Sequence, residues 1–345
     1  MSDAVGSAPS EQGWGKLLLA LTAFLFLPLS PPLRALLPVE ETLLLLVPAL
    51  AACCMVGWWA GGRLILAIVW TGLAAYMLAL PSAPGSFYHL VCGWSLLLAG
   101  AFGLICLLGA GRPFLPRAFG AIFLALLLVL VMSARGPLTP ARARQAIQAE
   151  LGRRNTETAE AMRRAVAAYP QAVKDVPSFA SLPEESQQSL KLVSDAGAVL
   201  FPSLLLLESL LALALAWATY HRLSRARLGV PLGHLKDFRF NDQFVWGLIA
   251  GLAIVFIPAL GFLNALGRNL LVFFGALYAL RGFGVLSWFV PPGAFTVLLL
   301  IGLAMLWWPV PTTAGLGFLL MALAAFGLGL GDTWADWRRR ARPTT

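Results

Sequence analysis

From Phe87 to Leu108 the chain carries no Asp, Glu, Lys or Arg, and from Phe114 to Met132 it carries only Arg117. Runs of this kind decide the solvent. About 20 apolar residues cross the hydrocarbon core of a bilayer as a helix. Lipid offers the backbone no hydrogen bonds, and a helix satisfies its own. On that measure the sequence predicts an all-α polytopic transmembrane bundle of about ten spans, near 16–30, 41–58, 62–80, 87–108, 114–132, 196–220, 244–263, 265–289, 293–308 and 312–330. Pro31-Pro32 breaks the first, Pro48 interrupts the second and Pro258 lies inside the seventh.

Only 12% of the 345 residues are charged, half of the roughly 25% of a soluble domain. The net charge of +9 therefore does not suggest nucleic acid. The basic residues sit at helix ends, where they orient a chain against anionic lipid. Arg63, Arg112, Arg117, the cluster from Arg222 to Arg239 and the terminal run from Arg338 to Arg342 fall on one side, with both termini. The short loops of the other side hold only Arg34. This asymmetry predicts a multi-pass membrane protein with both termini cytoplasmic. Met1 to Gln12 is polar without a basic residue, so the first span is expected to be retained rather than cleaved. Cys53, Cys54, Cys92 and Cys106 lie in apolar runs and read as small buried hydrophobes.

Three parts follow: N-terminal spans over 1–133, an extracytoplasmic helical insertion over 134–195, and C-terminal spans with a basic tail over 196–345. In the insertion, Thr139-Pro140 starts a helix, Gly152 is a stop, and Asn155 caps a second helix whose Met162, Val166 and Tyr169 share a face. Ser181 to Glu184 has capping-box spacing, and a helix from there runs on into the sixth span. The loop 221–242 is the densest basic cluster. Topology anchoring accounts for it, with a docked protein partner as the second reading.

Soluble-enzyme motifs are absent: there is no Walker loop, dinucleotide fingerprint, nucleophile elbow or HExxH. No enzyme, cofactor or metal is expected, and His89, His221 and His234 read as interfacial residues. Ionisable residues inside spans mark function by default. They are Glu208, near the middle of the sixth span, and Arg268 and Arg281 on the eighth, which also carries Asn269 and Tyr278. A buried carboxylate needs a partner, and Arg281, the deeper arginine, is the expected one. Arg268 is close enough to an end to snorkel. Glu208, Arg268, Asn269, Tyr278 and Arg281 are the candidate substrate-binding set, with arginine for an anionic group and Asn269 and Tyr278 for orientation. A structural ion pair is the competing reading of Glu208 and Arg281. Arg268, Gly275 and Gly282 recur at sevens, and Gly247/Gly251 and Gly327/Gly331 have GxxxG spacing, all packing signals first. Asp332 and Asp336 read as an interfacial stop with local Asp–Arg pairs.

FPSLLLLESLLALALAWATYHRL, GRNLLVFFGALYALRGFGVLSWF and LGLGDTWADWRRR, in that order, resemble the YybS-like family of bacterial membrane proteins of unknown function. VPALAACCMVGWWAGGRL is compatible with its N-terminal half. The chain departs from the family's pattern at Arg281, where a polar uncharged residue is expected. The resemblance implies an integral membrane protein similar in hydropathy to the substrate-binding S components of energy-coupling-factor transporters. It points to transport or capture of a small solute by a protein whose constant partner is the lipid bilayer. The alternative is a non-transporting scaffold that recruits partners. An intramembrane enzyme ranks last, for lack of a clustered acid/base set.

Overall fold

The computed structural model describes residues 13–79, 86–109, 111–135, 139–168, 178–224, 228–305 and 311–337, and among them no strand occurs. The helices are α1 (Trp14–Phe26), α2 (Pro31–Leu36), α3 (Leu43–Trp59), α4 (Leu64–Ala79), α5 (Ser86–Leu108), α6 (Phe114–Arg135), α7 (Pro140–Ala168), α8 (Ser178–Leu223), α9 (Val245–Phe256), α10 (Asn264–Phe289), α11 (Pro292–Met305) and α12 (Pro311–Ala335). The segments 87–108, 114–134, 191–223 and 258–289 are long and apolar enough to cross a membrane, and α1, α3, α4, α9 and the end of α12 are shorter apolar helices. The terminal basic run, Tyr169 and the end of the ninth span lie outside the described residues, as does the side chain of Met162.

The core forms around α3, which is buried on nearly every side from Leu44 to Gly57. A helix apolar all round belongs inside. Pro48 stays within it without interrupting it. Cys53, Cys54 and Cys106 are buried there. α3, α5 and α8 run in the same direction. Ser95 Oγ donates to Leu44 O, Trp94 Nε1 donates to Ser209 Oγ at 2.9 Å, and Phe102 meets Trp217 edge-on at 6.1 Å. Tyr220 fills the space beside Gly57, where a Cβ would overlap its ring.

Two ends result. One holds the α2–α3 linker, α7 and the first half of α8. The other holds the turns after α3 and α5 and the loop after α8. α8 has 46 residues, roughly 69 Å at 1.5 Å per residue, more than twice a hydrocarbon core of ~30 Å. Only its second half lies beside α3 and α5. Its first half continues past them and packs on α7.

Several expectations change. α7 runs unbroken through Gly152 and Asn155. A helix-interior Gly costs about 1 kcal/mol, but Glu150, Arg153, Arg154 and Glu157 form pairs at i,i+3 and i,i+4 that bracket it. The start at Pro140 holds, with Arg142 N–H donating to Thr139 Oγ1. α8 begins at Ser178, so Ser181 is inside it. The seventh span is a helix of 12 residues, about 18 Å long. The residue before a proline is driven out of the helical region, and Ile257 is extended at ψ 111° before Pro258 opens a 3₁₀ turn.

Glycines seat the last helices. Gly247 lies against Phe274 and Gly251 against the Gly267 carbonyl, which locks α9 onto α10. The α10–α12 seam uses Gly282 and Gly329, where a Cβ would run into the carbonyls of Ala325 and Tyr278. Gly275 and Gly327 touch nothing comparable, so neither the sevenfold seam nor the second GxxxG pair is the contact.

Candidate functional site

Residues 228–234, after α8, are not helical, so their carbonyls need donors from elsewhere. Three side chains supply them to three successive residues. Arg117, fully buried on α6, donates to Leu228 O at 2.7 Å and to Gly109 O at 2.9 Å. The His221 ring lies 3.1 Å from Gly229 O, and Trp217 Nε1 donates to Val230 O at 3.2 Å. Gly229, at φ 152°, leaves room for the Arg117 guanidinium, which a Cβ would contact at 2.9 Å. The guanidinium also sits 5.0 Å over the Trp217 ring. The loop thus folds back along α8 instead of hanging free. Arg117, read as an end charge, and His221, read as an interfacial residue, are packing residues of the bundle.

Folded back, the loop roofs a cavity of about 970 Å³. The walls are apolar: Phe114 and Phe119 of α6, Leu207 to Ala214 of α8, and Ala276, Leu277 and Leu280 of α10. The polar lining belongs to the loop, as His234, Asp237, Arg239 and Asn241. Leu211 and Leu280 are exposed at its side. The groove can hold an apolar body and meet a polar group at one end.

The structure scatters the five candidate residues. Glu208 is buried and faces away from the groove, with Oε2 accepting the Val39 N–H at 3.0 Å and Oε1 without a hydrogen-bond partner. It lies level with the start of α3, not at mid-depth as its place in the sixth span suggested, because α8 is far longer than a span. Its expected ion pair with Arg281 does not form; the cation acting on Glu208 is Arg154 of α7. Arg281 is clamped at the other end. Its Nε donates to Asp332 Oδ2 at 3.0 Å, Nη2 to Asp332 O at 3.2 Å, and Nη1 to Asp242 Oδ1 at 2.5 Å. Asp332 is fully buried, not an interfacial stop, since the close α10–α12 approach at Gly282 and Gly329 brings it against Arg281. Asp336 pairs with Arg239.

Tyr278 is buried between Phe240 and Phe326, close to Arg281, which stacks 5.6 Å over Phe240. Arg268 is exposed. Asn269 bonds α8 beside Pro202, which has no N–H to give to the helix ladder. Its Oδ1 accepts the Ser203 N–H at 2.9 Å, and its Nδ2 donates to Val199 O and Ala265 O, each at 2.8 Å. Both amide hydrogens are used within the protein.

The α2–α3 linker is held in a related way. Arg154, 1% exposed, donates to Leu37 O at 2.8 Å and to Glu150 Oε1 at 2.8 Å, lies 3.5 Å from Glu40, and sits 5.4 Å over Phe87. Burial pushes the Glu150 carboxyl up, but hydrogen bonds from Arg153 and Arg154 outweigh it and hold it at about 2.

Residues missed in the sequence are Trp217, Asp242 and the groove itself. The run GLGLGD was the available signal for Asp332, because small residues flanking an acid let a second backbone approach it. Nothing local marked Arg117.

A family model described as a predicted membrane protein, DUF2232, matches residues 146–328. That stretch is more than half of the chain and covers most of α7 and all of α8 to α11. No curated protein and no solved structure matches.

Proposed function

From the premise that the chain belongs to the DUF2232 family of predicted membrane proteins, we propose that it is a YybS-like member that captures or transports a small amphipathic solute at the bacterial inner membrane, without enzymatic chemistry. One observation carries this reading: the groove of about 970 Å³, apolar along α6, α8 and α10 and polar only at its loop end. Its volume suits a small molecule, and its walls suit one with an apolar body. The site moves from the intramembrane charges to other side chains of the same two helices, α8 and α10.

Both termini and the roofing loop are cytoplasmic, and α7 is extracytoplasmic. In support, the turn holding Arg63 and the turn holding Arg112 lie at the same end as the loop, as the positive-inside rule requires.

The test uses a photoactivatable palmitic acid added to the purified protein in lipid nanodiscs. Labelling is expected on Leu207 to Ala214 and Ala276 to Leu280. Ala214→Trp, which fills the groove, lowers that labelling about tenfold, equivalent to roughly 1.4 kcal/mol. Equal labelling of the two proteins removes the capture reading. A stoichiometric protein partner on the loop 221–242 would then favour the scaffold.

A further inference from the structure

Asp237 and Arg239 both line the polar end of the groove. Phe238 between them is extended, at φ −62° and ψ 118°. An extended residue sends its two neighbours to the same side of the chain, roughly 7 Å apart at about 3.3 Å per residue. A carboxylate and a guanidinium thus stand side by side on one strip of backbone.

That strip is fixed from below. Arg281 donates to Asp242 and lies 5.6 Å over Phe240, and Phe240 stacks on Phe244 at 5.7 Å. Among the described residues Asp237 joins no ion pair. Arg239 gives an N–H to Asp336, but a guanidinium has five, so donors remain for a second anionic oxygen. Two carboxylates and one guanidinium disfavour a head of net negative charge and accept one whose own charges cancel.

We propose that the groove takes a monoacyl phospholipid with a zwitterionic head, its chain along the apolar walls, its ammonium at Asp237 and its phosphate at Arg239. The planar guanidinium matches phosphate oxygens, and the carboxylate accepts from the ammonium N–H groups. Leu211 and Leu280 are exposed at the side of the groove, so such a molecule enters from the bilayer without crossing water. A volume of about 970 Å³, at the upper end of small-molecule sites, takes one acyl chain. The assignment rests on the capture reading, to which it adds the chemistry of the head.

The experiment compares two probes with the same photoactivatable acyl chain, lysophosphatidylethanolamine and lysophosphatidylglycerol, on the full chain in phosphatidylglycerol nanodiscs. The ethanolamine probe is expected to label Leu207 to Ala214 and Ala276 to Leu280 about fivefold more, the upper end of what an exposed ion pair contributes. Asp237→Asn is expected to remove that preference and Asp237→Glu to keep it. Arg239→Gln is expected to lower labelling by both probes, because both carry the phosphate. Equal labelling of the wild type by the two probes overturns the proposal, and so does a preference that survives Asp237→Asn. Labelling unchanged in Arg239→Gln overturns the phosphate contact. The wild-type comparison needs no variant to fold. Labelling that falls in Ala214→Trp yet shows no preference between heads leaves the capture reading standing and sinks only this one. Labelling indifferent to Ala214→Trp removes both.

Discussion

Each end of the bundle pins a non-helical linker with a buried arginine, but the two arginines are compensated differently. Arg154 holds the carbonyl of Leu37 and stands between the carboxylates of Glu150 and Glu40. Arg117 holds the carbonyls of Leu228 and Gly109 and lies on the face of Trp217, beside the His221 imidazole. The first end is an ion network between polar elements. The Arg117 pin at the second is cation, aromatic ring and backbone, with the Arg281–Asp332–Asp242 cluster at the same end. A carboxylate network fails when protons are added.

Breaking the first pin should cost most. Arg154→Met leaves Glu150 and Glu40 without their buried cation and the linker carbonyls without a donor. Removing one partner of a buried pair costs about 3–5 kcal/mol, and the loss should appear in thermal unfolding together with faster proteolysis of α7. A small change would mean that α7 is not docked through this network.

Arg117→Met comes next. It removes charged hydrogen bonds, worth about 1.5–3 kcal/mol each, from two carbonyls. Amide exchange should rise at 228–235 and stay unchanged at 37–43. Equal loosening of both linkers would show that the two ends are one cooperative unit.

Acid should separate the ends without mutation. The Glu150 carboxyl lies near 2 in the fold and near ~4.3 in an unfolded chain. A depressed value contributes stability above the unfolded value, and that contribution disappears as pH falls from about 4 through about 2. Exchange of α7 amides should rise in that window while residues 228–235, held by Arg117 and Trp217, stay protected. Loss of protection in the loop first would reverse the assignment.

Glu208→Gln should have the smallest effect, within about 1 kcal/mol. The amide oxygen still accepts the Val39 N–H, and no charge is left beside the unpartnered oxygen. Glu208→Ala removes that acceptor and costs about 1–3 kcal/mol. A large loss in Glu208→Gln would show that the negative charge facing Arg154 is required.

The four segments of membrane length, 87–108, 114–134, 191–223 and 258–289, were legible because their cause is local. The run into the sixth span could be read from apolar length and an unbroken approach, and α8 follows it. Thr139-Pro140 carried its own helix start. Gly152 misled, because its cost is offset by pairs whose docking depends on the distant linker. The placing of Glu208 at mid-depth failed because span-counting fixes a window and not how far a helix projects beyond it. The five-residue site was assembled around charges inside spans, and of these Glu208 and Arg281 met separate structural partners while Arg268 is exposed. The charged side chains that line the groove, Asp237 and Arg239, come from the segment after α8 and not from a span, so no rule about intramembrane charge could find it.

By itself, the sequence determined the solvent, the all-α class and the approximate span positions, since apolar length and lipid's lack of hydrogen-bonding partners act on each segment alone. Tertiary structure decided the pairings: Arg281 with Asp332, Arg154 with the 37–38 carbonyls, and His221 with Gly229. A buried polar group takes whichever partner packing brings within about 3 Å, and that distance is set by the close approach of backbones far apart in the chain.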